Sequence, residues 1–240
     1  MLGPVDIFRQ MSARQHLYYW VAPLLTGWTF TAMYFSNTAW MQEVIGPTYN
    51  REFGLLENLQ AILIAGSLIV LIRISLLPLR PLFKAASILA CLATALIFLE
   101  EIDYGLHVIE WVKGIPPGAG AQIRNLHNQG DNTNRIKLLA NVLLTAMFVI
   151  LPYVDRLKRF RVVKLLCPSK MILLTVLATA LVALTHEALD PYHLPTNGVL
   201  DSNQSEFEEL LIYYTFFVYF REKYKHFKID PGMGIRKSAG

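Results

Sequence analysis

Carboxylates and histidines stand at the ends of the oily runs of this chain. Glu57, Glu100, Glu101, Asp103, His186, Glu187, Glu208 and Glu209 fall beside or just inside apolar stretches, and His127 lies in a loop expected on the same side of the membrane. Such residues support two kinds of chemistry. Carboxylates whose environments push their pKa values apart act as acid and base. Carboxylates joined by histidine hold a hard or borderline divalent cation and activate water on it. A charge at membrane depth is costly, so it is kept for function or for tying helices together. The candidate catalytic residues are Glu57, Glu100, Glu101 and His127. The candidate metal ligands are Glu57, Glu100, His127, His186 and Glu209, with a divalent metal as the candidate cofactor.

Spacing narrows the set. Glu57 and Gln60 are three apart and share a helix face. Glu100, Asp103 and His107 follow an i, i+3, i+7 pattern, which predicts one face of one helix. Glu101 lies about a hundred degrees round from Glu100 and must point elsewhere. His186 and Glu187 close the fifth apolar run, and Glu209 is one turn before Tyr213. Other residues have plainer roles. Ser205-x-x-Glu208 is a capping-box pattern, Glu206 reads as solvated, and His193 and His226 read as surface residues. His127 sits in Arg124-Asn125-Leu126-His127-Asn128-Gln129, whose amides can orient an imidazole or satisfy carboxylates.

Six apolar windows must position these groups: about 17–36, 54–74, 84–104, 136–155, 170–188 and 206–221. The chain has 240 residues, 54% hydrophobic and 17% charged, with a mean hydropathy of +0.37. Soluble domains are roughly 45–50% apolar and about 25% charged. The expected fold is therefore all-α: a polytopic membrane protein, 1–240 forming a single transmembrane domain of six helices. A long outer loop, 105–135, joins the third and fourth. The first window has no small-residue cleavage pattern and reads as a span, not a removable signal peptide. Residues 4–14 predict a short helix on the membrane surface, with Arg9 and Arg14 at the headgroups.

Orientation follows from the cations. Arg9 and Arg14, then Arg73, Arg80 and Lys84, then Arg156, Lys158, Arg159, Arg161, Lys164 and Lys170, then Arg221, Lys223, Lys225, Lys228, Arg236 and Lys237 share one side if there are six spans. That side is cytoplasmic by the positive-inside rule, so both termini are expected inside, in a multi-pass protein of the cell inner membrane. The net charge of +4 is explained by these connections. Membrane lipids are the expected partners, with other membrane subunits as a further class and nucleic acid excluded. Cys91 and Cys167 imply neither a disulfide framework nor a zinc ribbon.

Glu100-Glu101-Ile102-Asp103-Tyr104-Gly105, followed by Asn125-Leu126-His127-Asn128, resembles motifs of a group of uncharacterised bacterial multi-span inner-membrane proteins. Their motifs are Glu-Glu-Ile-Ser-Trp-Gly-Gln at a helix end and Asn-Leu-His-Asn in the loop after it. Arg51-Glu52-Phe53-Gly54-Leu55-Leu56-Glu57 is similar to the start of their second span. The resemblance covers roughly residues 50–150. It departs at Asp103-Tyr104, where the group has Ser-Trp, and at Leu106, where it has Gln. It implies which positions matter and supplies no reaction. Membrane hydrolases with three zinc-binding histidines do not fit, because His186 and His193 are too far apart and the last apolar run has no histidine.

Three classes of function remain. One is a membrane-embedded enzyme, metal-dependent or using paired carboxylates, acting on a lipid-type substrate at the outer interface. The second is an accessory or assembly subunit of a larger membrane complex. The third is a proton- or cation-coupled transporter, disfavoured by the lack of an internal repeat or an interrupted span.

Overall fold

The computed structural model describes residues 10–36, 38–47, 53–116, 141–189 and 205–229, and among these every regular element is helical. In chain order they are α1 (Ala13–His16), α2 (Ala22–Phe35), α3 (Ala39–Ile45), α4 (Leu55–Ser75), α5 (Pro81–Glu101) and α6 (Leu106–Lys113). Then follow α7 (Asn141–Tyr153), α8 (Arg161–Leu166), α9 (Ile172–Leu189) and α10 (Ser205–Ile229). Residues 136–140 of the fourth apolar window lie outside the described residues; the described part of each of the six windows is mostly helical. Three of them, α4, α5 and α9, are long and apolar enough to cross a membrane. Their outer surfaces are oily. Only 11% of the most apolar window of α5 is buried, and Leu82, Leu89, Leu92 and Leu96 point outward. Apolar surface this continuous suits lipid and not water.

α10 occupies the centre, packed against α4, α9 and α2, while α5 leans on α4. This is not what its charges alone suggest, since Glu206, Glu208 and Glu209 begin it and Arg221, Glu222, Lys223, Lys225 and Lys228 end it. The uncharged stretch between, 210–220, is aromatic and apolar, and it puts Leu210, Leu211, Val218 and Tyr219 into the core. The charged flanks reach the two ends of the bundle. One end gathers Phe30, Tyr34, Ile45, Leu56, Phe207 and Leu210. The other gathers Leu71, Ile74, Phe83, Leu165 and Phe227, with Tyr19, Phe148 and Ile172 beside Tyr219. Among the described residues the acidic positions named above lie at the first of these ends, and Arg73, Arg80, the 156–170 connection and 221–228 lie at the second.

Close packing depends on one small residue. A Cβ at Gly27 on α2 would lie 2.5 Å from Val182 Cγ2 and 3.2 Å from Leu211 Cδ1. Valine is stiff at χ1 and cannot swing aside cheaply. Small residues let membrane helices approach in this way. Gly27→Ala is expected to destabilise the bundle by about 1–3 kcal/mol, read as a lower unfolding midpoint in detergent; an unchanged midpoint would mean that α2 is not held against α9 here.

The first helical run passes through a π segment at Leu17–Val21. The Ala22 N–H bonds to Leu17 O, one residue further back than in an α-helix, and Pro23 has no N–H to offer. Carbonyls in this region are met from other helices: Tyr214 Oη donates to Tyr18 O at 2.6 Å, and Thr175 Oγ1 donates to Tyr19 O at 2.9 Å. Away from water such groups need internal partners. These two bonds tie the π segment to α9 and α10. Before it, Ser12 and Gln15 form a capping box that starts α1. The expected surface helix over 4–14 is interrupted in its described part, since Met11 and Ser12 are non-helical and α1 starts afresh at Ala13; residues 4–9 lie outside the described residues.

Candidate functional site

The acidic end brings together α4, α5, α9 and the start of α10. Tyr213 Oη donates to Glu101 Oε1 at 2.6 Å, joining α10 to the end of α5. Glu206 and Glu209 lie near enough to act on the Tyr213 hydroxyl through their charge. A hydrogen bond to a carboxylate is roughly twice as strong as one between neutral groups, so the pair has a fixed geometry. Glu101 pointing to α10, away from Glu100, matches the helical angle between neighbouring residues. Glu206 is not simply solvated. The Gln60 amide donates to its backbone carbonyl at 2.9 Å and reaches its carboxylate at 3.4 Å.

Gln60 is fully buried, and its Oε1 has no hydrogen-bond partner among the described residues. A buried acceptor in this condition costs about 1–3 kcal/mol. Glu57, in the first turn of α4, is buried, and Glu100 is half-buried. His186 is buried against Phe207, Phe35 and Tyr34, with ring centroids at 4.6, 5.3 and 6.0 Å. Glu209 is half-buried, whereas Glu187 and Glu208 are exposed. His127, His193 and Asp190 lie outside the described residues.

The i, i+3, i+7 reading of Glu100, Asp103 and His107 needs correction. α5 ends at Glu101, and Asp103, Tyr104 and Gly105 take positive φ of 48°, 52° and 76° before α6 begins. A left-handed turn breaks the helix, so the three positions do not share one helical face. Each non-glycine residue held this way costs about 1–2 kcal/mol, and such turns cluster at functional sites. Asp103 is buried by the turn, while Tyr104 stays exposed. The helix after the turn, expected from His107, Glu110 and Trp111, is present as α6. It buries Glu110 and exposes Val108, Ile109, Trp111 and Val112.

Among the described residues no three His, Cys, Asp or Glu side chains gather closely enough to hold a metal ion. Glu57, Glu100, His186 and Glu209 therefore do not form such a group by themselves, and a metal reading rests on His127. Cys91 and Cys167 are both free thiols. Burial pushes the Cys167 thiol above the usual range, which leaves little thiolate for chemistry at neutral pH.

A cavity of about 260 Å³ lies between α4, α5 and α10, walled by Ile64, Ser67, Ala90, Thr94, Ile97 and Tyr213 among others. Its walls are almost entirely apolar. Tyr213 belongs both to this wall and to the bond with Glu101, so its hydroxyl links the wall of an oily slot to a carboxylate. Nothing in the sequence assigns Tyr213 a role, since an aromatic inside an apolar run reads as core. Its one signal was a position one turn beyond Glu209. No protein-family profile, curated protein or solved structure matches this chain.

Proposed function

We propose that the chain is a six-span bacterial inner-membrane protein with both termini cytoplasmic, whose acidic end is an acid–base site for a lipid-type substrate at the outer face. The observation that carries this reading is the bond from Tyr213, in the wall of an apolar cavity between α4, α5 and α10, to Glu101. Ligand sites are mostly apolar, with a few convergent polar groups that fix orientation. Here the slot takes a lipid chain, and the acidic end takes the bond that is cleaved or transferred. Glu101 accepts the proton of an attacking water or hydroxyl and returns it to the departing oxygen. Tyr213 holds the carboxylate in place. Gln60 Oε1 supplies a buried acceptor for a substrate hydroxyl or amide.

The test is turnover. The full chain, reconstituted in vesicles of total bacterial lipid extract, should convert one lipid class to a product seen by mass spectrometry, and Glu101→Gln should not. An unchanged lipid profile with the wild-type chain would remove the enzyme reading. A second reading, an accessory subunit, is favoured by the outward apolar face of α5, which a partner helix would cover. Purification in mild detergent with a stoichiometric partner and no lipid turnover would select it.

Orientation has its own check. A cysteine placed at Phe160, in a chain lacking Cys91 and Cys167, should react with a membrane-impermeant maleimide only after the cells are opened. Labelling of intact cells would reverse the assigned sides.

A further inference from the structure

At the opposite, basic end the first helical run borders a cleft of about 370 Å³ with Arg14, Tyr18, Tyr19, Arg221, Glu222 and Lys225 in its wall. Tyr18 and Tyr19 lie in the π segment and line the wall, and Tyr214 and Thr175 hold their carbonyls. Arg221 is held too. Its guanidinium donates to Tyr18 Oη at 3.3 Å and stacks over the Tyr18 ring at 5.1 Å.

Charge in the cleft is unbalanced. Among the described residues Glu222 is the one acid in the wall, and its carboxylate is already engaged by neutral donors. It accepts from Tyr19 Oη, from Ser169 Oγ at 2.6 Å and from the Ser169 N–H at 3.4 Å. Among the described residues Arg14, Arg221 and Lys225 make no ion pair. Three cations thus line a cleft against one carboxylate, which keeps its charge but has its oxygens occupied by neutral donors, so the described wall carries an excess of two positive charges. Arginine on a rigid support suits the bidentate geometry of phosphate oxygens. The rim adds Leu17, which is exposed, and Ala22, giving the cleft an apolar side.

We infer that this cleft binds a phosphate-ester anion, as presented by the headgroup of an anionic phospholipid whose chains lie along Leu17 and Ala22. The site is separate from the Tyr213–Glu101 pair, which occupies the other end of the bundle, and does not depend on any reaction there. Basic residues beside a membrane attract anionic lipid with a strength that corresponds to about five-fold in affinity per cation.

Native mass spectrometry of the full chain in detergent tests this with phosphatidylglycerol, phosphatidylcholine and soluble glycerol 3-phosphate. Phosphatidylglycerol should bind at least ten-fold more tightly than phosphatidylcholine. Arg14→Gln combined with Lys225→Gln, both exposed and without structural partners, should weaken it about 25-fold; Arg221→Gln should weaken it further. Binding should also fall with added salt. Displacement by millimolar glycerol 3-phosphate would assign the site to soluble phosphate esters, and failure to displace would assign it to lipid; either upholds a phosphate-ester site. Equal occupancy by the two lipids would overturn it, as would Arg14→Gln/Lys225→Gln binding no differently from wild type. A matched loss on replacing Arg73 and Arg80, which lie outside the cleft, would reduce the effect to surface charge and overturn it as well.

Discussion

Glu101→Gln is expected to lower lipid turnover by about 10²–10⁴-fold while leaving the fold intact. Glutamine keeps an oxygen that can accept from Tyr213 Oη, so the contact between α5 and α10 survives. What it lacks is the basicity to take a proton. Tyr213→Phe removes the donor and leaves the carboxylate less firmly placed. Its expected cost is smaller, about 10- to 100-fold, the range of one hydrogen bond to a charged group. Rates in proteoliposomes measure both. Unfolding midpoints within about 2 °C of wild type would show that the loss is chemical.

Phe207→Ala is expected to have the largest effect on stability. Phe207 is 2% exposed and lies against Tyr34 at 5.6 Å and Phe30 at 6.4 Å, with His186 closest of all. Truncation leaves a cavity where α2, α9 and α10 meet, at a cost of about 3–5 kcal/mol. For a chain of this size that corresponds to a midpoint lower by about 10 °C. Phe207→Leu, which fills much of the space, should recover more than half of the loss. A drop below 3 °C for the alanine variant would place Phe207 outside the core. Because His186 packs directly on this ring, the same variant should also loosen the acidic end.

Helix positions and the division of charge between two ends were legible because both follow from composition along the chain. Apolar runs mark helices, and the basic connections come at alternate gaps. Tyr213 was not legible: nothing in Leu210–Phe220 distinguishes the tyrosine that meets a carboxylate from its neighbours that fill the core. The Asp103–Gly105 turn was missed because helical periodicity runs straight through it. Only Gly105 hints at positive φ, while Asp103 and Tyr104 adopt it against their own preference. Glu206 looked like a solvated first-turn acid, and its bond to Gln60 is a contact across 146 residues. The basic cleft was hidden for a similar reason. Arg221 and Glu222 read as an ordinary charged helix end, and only the fold shows the Glu222 carboxylate engaged by Tyr19 and Ser169.

One measurement bears most directly on the acid–base site: lipid turnover by wild type, Glu101→Gln, Tyr213→Phe and the double variant in the same vesicles. If the two side chains act as a unit, the tyrosine has nothing to position once the base is gone. The double variant should then be no slower than Glu101→Gln alone. Two independent losses that multiply, or a wild-type chain that converts no lipid, would contradict the assignment of Tyr213 and Glu101 as one reactive pair.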